Sequence, residues 1–321
     1  MLTAIGKWAL GSAQRAQVWT NVYGVARSLL ALSTAGSLFF NRATTLFIPA
    51  TGPLHLPPCQ GAGKLSLFCL VNSNHLDFIR ILAGLALLVV ATGWRPRYTG
   101  LIHSWISLSV ALSSVTLDGG DQLTSDLVLL LLPVALTDNR KWHWEHGSIS
   151  ETDSKGVFRT LVAASALIAI RFQMAGVYFH AAVAKFRIEE WRDGTAMYYW
   201  LTNPTIGAHG WVAHAVSLAT RNDVLIPLMT WGAIAIEVVL FMSLVMPKWA
   251  WRFVFGIGVA FHALIAVLFG LTSFSIAMLG GLVLYLRPTG DEFVFVGRWL
   301  KKGKQLVANS AIPHFVIRAR N

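Results

Sequence analysis

Long apolar runs recur along the chain, each about as long as a helix that crosses a bilayer. Stretches of roughly 17–25 predominantly apolar residues are typical of such helices. The pattern predicts about eight spans, at residues 22–40, 76–92, 99–117, 122–137, 157–184, 224–246, 253–271 and 272–286. The last two follow each other closely around Gly270, so a broken or re-entrant element is an alternative there. The sequence therefore predicts an all-α fold, a polytopic transmembrane helical bundle.

The polar residues between these runs divide the chain into three parts. Residues 1–21 place Lys7 and Arg15 among apolar residues at helical spacing, which predicts an interfacial N-terminal helix. Residues 22–286 form the transmembrane domain, and residues 287–321 form a basic tail. Since Lys and Arg collect in alternate loops, the pattern predicts that both termini are cytoplasmic.

Composition excludes a soluble protein. The chain of 321 residues is 55% hydrophobic and 13% charged, whereas a soluble domain carries about 25% charged residues. The net charge of +11 comes from cations dispersed among the spans, which favours anionic membrane lipid as a partner and not nucleic acid.

Two long segments are expected on the outer side, and the first contains both cysteines. Cys59 and Cys69 are an isolated pair in this segment, which predicts one structural disulfide. A zinc site would need further ligands, and the nearby His55 and His75 have no familiar zinc spacing, so no metal is predicted.

The second outer segment, residues 185–223, begins with a dense group of charges. The apolar fifth span runs directly into Lys185, Arg187, Glu189, Glu190, Arg192 and Asp193, close to Trp191 and Gly194. A membrane helix usually ends in one or two cations, so this many mixed charges predicts a pocket at the water boundary.

Ionisable residues inside spans are costly and indicate functional positions. They are Arg27, Asp77, Arg80, His103, Arg171, His180, Glu237 and His262. Asp77 and Arg80, at spacing i,i+3, are interpreted as neutralising each other. The alternative for each of the others is a buried polar network that fixes helix packing.

One face of the fifth span carries the candidate chemistry. Arg171, Tyr178 and Lys185 recur every seven residues, and Glu237 on the next span is placed to reach His180. Partial burial favours a neutral Lys185 amine that acts as a base. If Lys185 lies beside Glu189 or Glu190, it instead stays protonated and forms an ion pair.

Three blocks of sequence resemble a known family. They are VWTNVYGVARSLLALSTAGSLFFN (18–41), DGGDQLTSDLVLLLLPVALTDNRKWHW (118–144) and YFHAAVAKFRIEEWRDGTAMYYWL (178–201). They resemble the HTTM family, the membrane region shared with vitamin K-dependent gamma-glutamyl carboxylase. The first block, with Trp19 to Gly24 and Arg27, is most similar to its SdpB-like branch.

The resemblance implies roles for particular residues. The family's carboxylases use a lysine followed by Trp-x-x-Gly as the base, and Lys185 with Trp191 and Gly194 matches this position, with a gap one residue longer. Where the carboxylases have Asn-His, this chain has Asp121-Gln122, and it lacks their large extracytoplasmic domain. These departures argue against vitamin K-driven carboxylation and favour a reshaped pocket. The predicted catalytic residues are Lys185, His180 and Asp121, and the predicted substrate-binding residues are Arg171, Tyr178, Glu189, Glu190, Trp191, Gly194 and Gln122.

The resemblance also implies a function. SdpB-like proteins are linked to the production of secreted peptide toxins in the bacterial plasma membrane, where they act on a precursor with a smaller SdpA-like partner. The chain is therefore predicted to be a peptide-maturation enzyme or enzyme subunit. No familiar protease motif is present, so cleavage would need an unusual mechanism, for which a quinone or a lipid in the bundle is the cofactor class to test. The alternatives are a non-catalytic scaffold or receptor, and a peptide or lipid transporter.

Overall fold

The computed structural model describes residues 17–48, 59–145, 154–288 and 290–293, together with Gly11 and Pro57. In these residues the regular structure is helical, apart from one antiparallel bridge between Trp94 and Trp142. Eight long helices lie where the apolar runs predict spans. They are α1 (Asn21–Phe40), α2 (Leu76–Ala91), α3 (Pro96–Ser113), α4 (Gly119–Leu136), α5 (Ser154–Lys185), α6 (Leu225–Met242), α7 (Lys248–Phe269) and α8 (Thr272–Leu286). The predicted interfacial helix and basic tail fall mostly outside the described residues.

Six of these helices are long and apolar enough to cross a membrane, namely α1, α2 and α4 to α7. The third helix does not meet this standard, since it contains His103, Arg97 and several serines. The eighth has 15 residues, a length of about 22 Å at 1.5 Å per residue, against a hydrocarbon core of about 30 Å. The all-helical membrane fold is confirmed, and the count of eight spans stays a prediction.

The short helix α8 is the centre of the bundle. Nearly all of its side chains from Ala277 to Leu286 are buried, and it packs against α1, α4, α5 and α7. Two glycines allow close approach, since a Cβ on Gly280 would touch Leu30 and one on Gly281 would overlap Met174. Gly270, with φ of 69°, ends α7 in a left-handed conformation that favours glycine. The last two apolar runs are therefore separate helices joined by a tight turn.

The helices define two ends of the bundle. At the first end, Val115 N donates to Leu46 O at 2.7 Å, and Ser273 Oγ donates to Asp118 Oδ2 at 3.3 Å. The disulfide segment and the residues that follow Lys185 lie at this end. At the opposite end are the turns that follow α2, α4 and α6. The two long segments that the sequence assigns to one side thus do share one end.

The disulfide between Cys59 and Cys69 is confirmed, with a Cα–Cα distance of 5.7 Å. It closes a segment of short 3-10 helices, in which Phe68 is fully buried and stacks on Phe47 with ring centroids 4.0 Å apart. The predicted neutralisation of Asp77 by Arg80 is also confirmed, since Arg80 Nη2 lies 2.9 Å from Asp77 Oδ1.

At the opposite end, His143 is inserted between α1 and the turn after α2. It has no exposed surface, and Arg27 Nη1 lies 3.4 Å from its Nδ1 while Arg27 Nη2 donates to Thr99 Oγ1 at 2.6 Å. Gly24 and Gly93 both pack on the imidazole, where a Cβ at Gly93 would overlap the ring. Burial, followed by the charges of nearby guanidinium groups, holds the pKa of His143 well below its ordinary value of 6.5. Gly24 and Arg27 of the first sequence block therefore contact a buried histidine, His143.

Candidate functional site

Lys185, the last residue of α5, forms an ion pair with Glu237 of α6. Its Nζ donates to the two Glu237 carboxylate oxygens at 2.6 and 2.9 Å, and to Ala181 O at 3.3 Å. The exposed fraction is 19% for the Lys185 side chain and 8% for that of Glu237. Because both charges are largely removed from water, each depends on the other for compensation.

The Trp-x-x-Gly motif, Trp191 to Gly194, follows the end of α5 and lies over this ion pair. Lys185 Nζ lies 5.1 Å from the centroid of the buried Trp191 ring, a cation–π contact. Gly194, with φ of 89°, packs against Pro227 and Trp231 of α6, so that a Cβ there would lie 3.1 Å from Pro227 Cβ. The motif thus turns the chain back onto α6 and places an aromatic face over the ammonium group.

A second buried pair lies deeper on the same face of α5. A hydrogen bond of 3.1 Å joins Tyr178 Oη and His262 Nε2 of α7, while His262 Nδ1 is buried with no partner among the described residues. Further along, the Arg171 guanidinium lies 4.4 Å from the centroid of the Trp251 ring. Arg171, Tyr178 and Lys185 therefore line one side of α5, as their seven-residue spacing predicts.

A cavity of about 480 Å³ lies between α4, α5, α6, α7 and α8. Its apolar wall includes Phe261, Ile265, Phe274 and Met278. Its polar lining consists of Gln122, Asp126, Gln173, Tyr178, His180, Glu237 and His262. Because Gln122 and His180 are exposed, the cavity is open at their side. A molecule with an apolar body and one or more hydrogen-bonding groups fits such a lining.

The structure brings only some of the predicted site residues together. Tyr178, His180 and Gln122 line the cavity, and Lys185 reaches its edge through Glu237. Asp121 is absent from the lining, since it lies on the opposite side of α4 and faces α1. The glutamate partners considered for Lys185 from the sequence, Glu189 and Glu190, are both exposed, and the partner in the structure is Glu237.

Two residues outside the predicted site now belong to it, Glu237 and His262. Both could be recognised in the sequence as candidate functional residues, since each is an ionisable residue in an otherwise apolar span. Their partners could not be read from the sequence, because Lys185 and Glu237 are 52 positions apart and Tyr178 and His262 are 84 apart.

The fold and the cavity together define a class, the polytopic helical membrane proteins with a polar site inside the bundle. A family profile for the HTTM domain matches residues 129–289, a range that contains Lys185, Glu237 and His262. The uncharacterized protein YitO of Bacillus subtilis (strain 168) is 41% identical over 294 residues, which cover 89% of this chain and 93% of YitO.

The sporulation-delaying protein SdpB of the same organism is 31% identical over 272 residues, which cover 84% of this chain and 82% of SdpB. No solved structure matches. The chain belongs to the HTTM family and is close to SdpB.

Proposed function

We propose that this protein is a membrane component that matures a secreted peptide precursor, a peptide toxin, at the cavity beside Lys185. The similarity to the sporulation-delaying protein SdpB supports this proposal. The resemblance of the three sequence blocks to SdpB-like proteins implies peptide-toxin production together with an SdpA-like partner. The single structural observation that carries it is the ion pair of Lys185 and Glu237 at the edge of an open, mixed polar and apolar cavity.

The cavity suits a short peptide segment. Its volume of about 480 Å³ is within the range of roughly 300–1,000 Å³ for small-molecule pockets. Gln122 and His180 on the open side offer hydrogen bonds to peptide groups, while Phe261 and Phe274 offer an apolar wall to a side chain. Lys185 is the reactive or substrate-orienting group in this proposal, and Trp191 holds it in place.

The roles of the other predicted residues follow from their positions. His180 is placed to assist at the open side of the cavity, and Tyr178 to bind a carbonyl group from inside it. Glu189 and Glu190 are available at the surface to a basic peptide or to the partner protein. Asp121 faces away from the cavity. The position therefore adds no support to the catalytic role that the sequence assigns to Asp121, and this role stays a prediction.

A quinone or a lipid is the cofactor class proposed for the same cavity. The unpartnered Nδ1 of His262 and the Tyr178 hydroxyl would hold a polar head group, and Phe261 and Ile265 would pack on its apolar part. A quinol would supply reducing equivalents. Mass spectrometry of a solvent extract of the purified protein tests this, and an extract with no lipid or quinone above the detergent control would contradict it.

A non-catalytic scaffold is the second candidate, because Lys185 is already neutralised by Glu237. The two proposals differ in what arginine does at this position. A base at Lys185 makes Lys185→Arg nearly as damaging as Lys185→Ala, since a guanidinium keeps its proton. An ion pair alone lets Lys185→Arg work well.

The measurement is release of mature peptide by cells that express the precursor and the partner, after membrane insertion and partner binding are verified. Arg187→Ala is the matched control, since it removes an exposed cation two residues further on. Full activity in Lys185→Ala would end the catalytic proposal and favour the scaffold.

The proposed location is the bacterial plasma membrane, with the cavity on the outer side and both termini in the cytoplasm. Single cysteines at Arg187 and Lys248, both exposed and at opposite ends of the bundle, test the orientation in a background without the native pair. An impermeant thiol reagent applied to whole cells should label the first and not the second. Labelling of Lys248→Cys alone would reverse the orientation and place the cavity inside.

A further inference from the structure

The chain between α5 and α6 contains a long stretch without any Asp, Glu, Lys or Arg. This stretch, residues 194–220, directly follows the dense charges of residues 185–193. About 25% of the residues of a soluble domain are charged, so a stretch of this length in water would carry roughly seven charges. The stretch also contains Trp and Tyr residues, which are enriched at membrane–water interfaces. Its composition therefore indicates contact with lipid.

Two short helices make up most of this stretch, the first at Ala196–Thr202 and the second at Gly210–Ala219. Neither can cross a bilayer. The second short helix has 10 residues, a length of about 15 Å at 1.5 Å per residue, against a hydrocarbon core of about 30 Å. In contact with lipid, these helices can therefore lie only in the membrane surface.

The first short helix lies beside α6 and not beyond its end. Met197 N donates to Thr230 Oγ1 at 3.1 Å. Thr230 is in the second turn of α6, which begins at Leu225, and it is therefore about 7–8 Å from that end of the helix. Because α6 is long and apolar enough to cross a membrane, its first turns mark the membrane boundary. Interfacial helices bury their apolar face about 5–10 Å into this boundary, so the depth of the first short helix is the depth of such an element.

The second short helix is fixed at a similar depth. Its Val212 and Val216, at spacing i,i+4, are buried in an apolar cluster with Leu201 of the first short helix and Ile226 of α6. Ile226 belongs to the first turn of α6, and Phe269 at the end of α7 packs against the same cluster. The second short helix is therefore packed on the bundle at the level where two membrane helices end.

The second short helix has three different faces. The face with the two valines packs on the bundle. Trp211 and Leu218, which are 78% and 59% exposed, share a second face. His214 and Ser217 are exposed on a third face, about 80° from the second at 100° per residue. A helix whose exposed surface divides into an apolar and a polar face is typical of an element that lies in the plane of the membrane surface.

We propose that residues 195–220 form an interfacial element that binds the lipid leaflet at the end of the bundle where Lys185 lies. Trp211 and Leu218 contact the acyl chains, while His214 and Ser217 face water. The apolar surface continues onto α6, where Leu228 is 64% exposed. Lipid is the occupant that fits, because the exposed apolar face adjoins the first turns of a membrane helix and lies in an uncharged stretch.

The element would hold the Trp-x-x-Gly motif at the membrane surface, since it directly follows Gly194. The inference is independent of the proposed peptide chemistry, because it uses no residue of the cavity lining. It is also independent of which side of the membrane faces the cytoplasm.

Electron paramagnetic resonance of spin-labelled protein tests this position. The full-length protein is reconstituted in vesicles of phosphatidylethanolamine and phosphatidylglycerol, and the native cysteines stay joined in their disulfide. Each variant carries one added cysteine with a nitroxide label. Trp211→Cys and Leu218→Cys probe the apolar face, and His214→Cys and Ser217→Cys probe the polar face. The collision rate of the label with oxygen, which concentrates in lipid, is compared with its collision rate with a water-soluble nickel chelate.

We expect the ratio of oxygen to nickel collisions to be at least about threefold higher on the apolar face than on the polar face, since the two faces lie on different sides of the boundary. Leu228→Cys on α6 is the matched control for lipid, and Arg221→Cys, at an exposed position just after the uncharged stretch, is the control for water.

Two results would overturn the proposal. Nickel access on the apolar face equal to that of Arg221→Cys would place the stretch in water, where a protein partner could cover it instead of lipid. Ratios at all four positions equal to that of Leu228→Cys would place the stretch inside the hydrocarbon core. Two positions on each face keep the comparison available if one variant does not fold.

Discussion

The ion pair between Lys185 and Glu237 gives the sharpest prediction, because its contribution to stability can be separated from its contribution to function. Both carboxylate oxygens of Glu237 accept from Lys185 Nζ, and both side chains are largely buried. Removing one partner of a buried pair leaves an uncompensated charge and costs about 3–5 kcal/mol. Replacing both partners with apolar residues of similar size is often neutral.

The losses expected for the two single variants lie at the lower end of this range for Glu237 and below it for Lys185. We expect Glu237→Gln to lower the free energy of unfolding by about 3 kcal/mol, since the Lys185 side chain keeps 19% exposure and its ammonium can shift toward water. Lys185→Met should cost about 2 kcal/mol, because the remaining carboxyl group can take up a proton. The double variant Lys185→Met/Glu237→Leu should fall within about 1 kcal/mol of the unsubstituted protein.

The assay is equilibrium unfolding of the purified protein in mixed micelles with increasing SDS, with the coupling energy taken from the double-mutant cycle. Peptide maturation is measured on the same four proteins. A folded double variant that matures no peptide would assign Lys185 and Glu237 to the chemistry. Single-variant losses that simply add in the double variant would refute the view that the two charges compensate each other.

Three further predictions concern other parts of the molecule. Cys59→Ser combined with Cys69→Ser should lower the free energy of unfolding by about 2–3 kcal/mol, since the disulfide closes a short loop. The double variant should still mature an appreciable amount of peptide, and a folded variant that matures no peptide would implicate the thiols in chemistry. Gly194→Ala should cost roughly 1–2 kcal/mol because its φ is 89°, whereas Gly232→Ala, with open space around it, should cost nothing; equal unfolding midpoints would contradict the strain. Because the pKa of His143 is lowered in the folded protein, the unfolded chain takes up the His143 proton first as the pH falls. The free energy of unfolding is therefore highest above about pH 6.5 and declines below it by up to about 1.4 kcal/mol per pH unit. His143→Gln should flatten this profile, and an unchanged slope would disprove the assignment.

Much of the fold follows from the sequence because lipid imposes a strong local rule. A backbone in hydrocarbon must satisfy its own hydrogen bonds, so an apolar run of sufficient length is a helix whatever its neighbours are. The eight helices accordingly begin and end within a few residues of the predicted runs, and Gly270 marks the turn between the last two. The disulfide was also predictable, since Cys59 and Cys69 can pair only with each other.

Part of the site could be predicted in the same way. Arg171, Tyr178 and Lys185 share one face of α5 because a seven-residue spacing returns to almost the same direction on a helix. Ionisable residues in apolar spans, such as Glu237 and His262, could be recognised as costly and hence as candidates for a function.

Only the tertiary structure decided which of these candidates meet. A helix periodicity gives the direction of a side chain but not the helix that it faces, so the choice of Glu237 over Glu189 or Glu190 as the partner of Lys185 depended on the packing of α5 against α6. The neighbouring residues Asp121 and Gln122 show the same limit most clearly. Successive positions on a helix differ in direction by about 100°, and the positions of α1 and α5 around α4 place Gln122 in the cavity and Asp121 against Thr34 and Ser37 of α1.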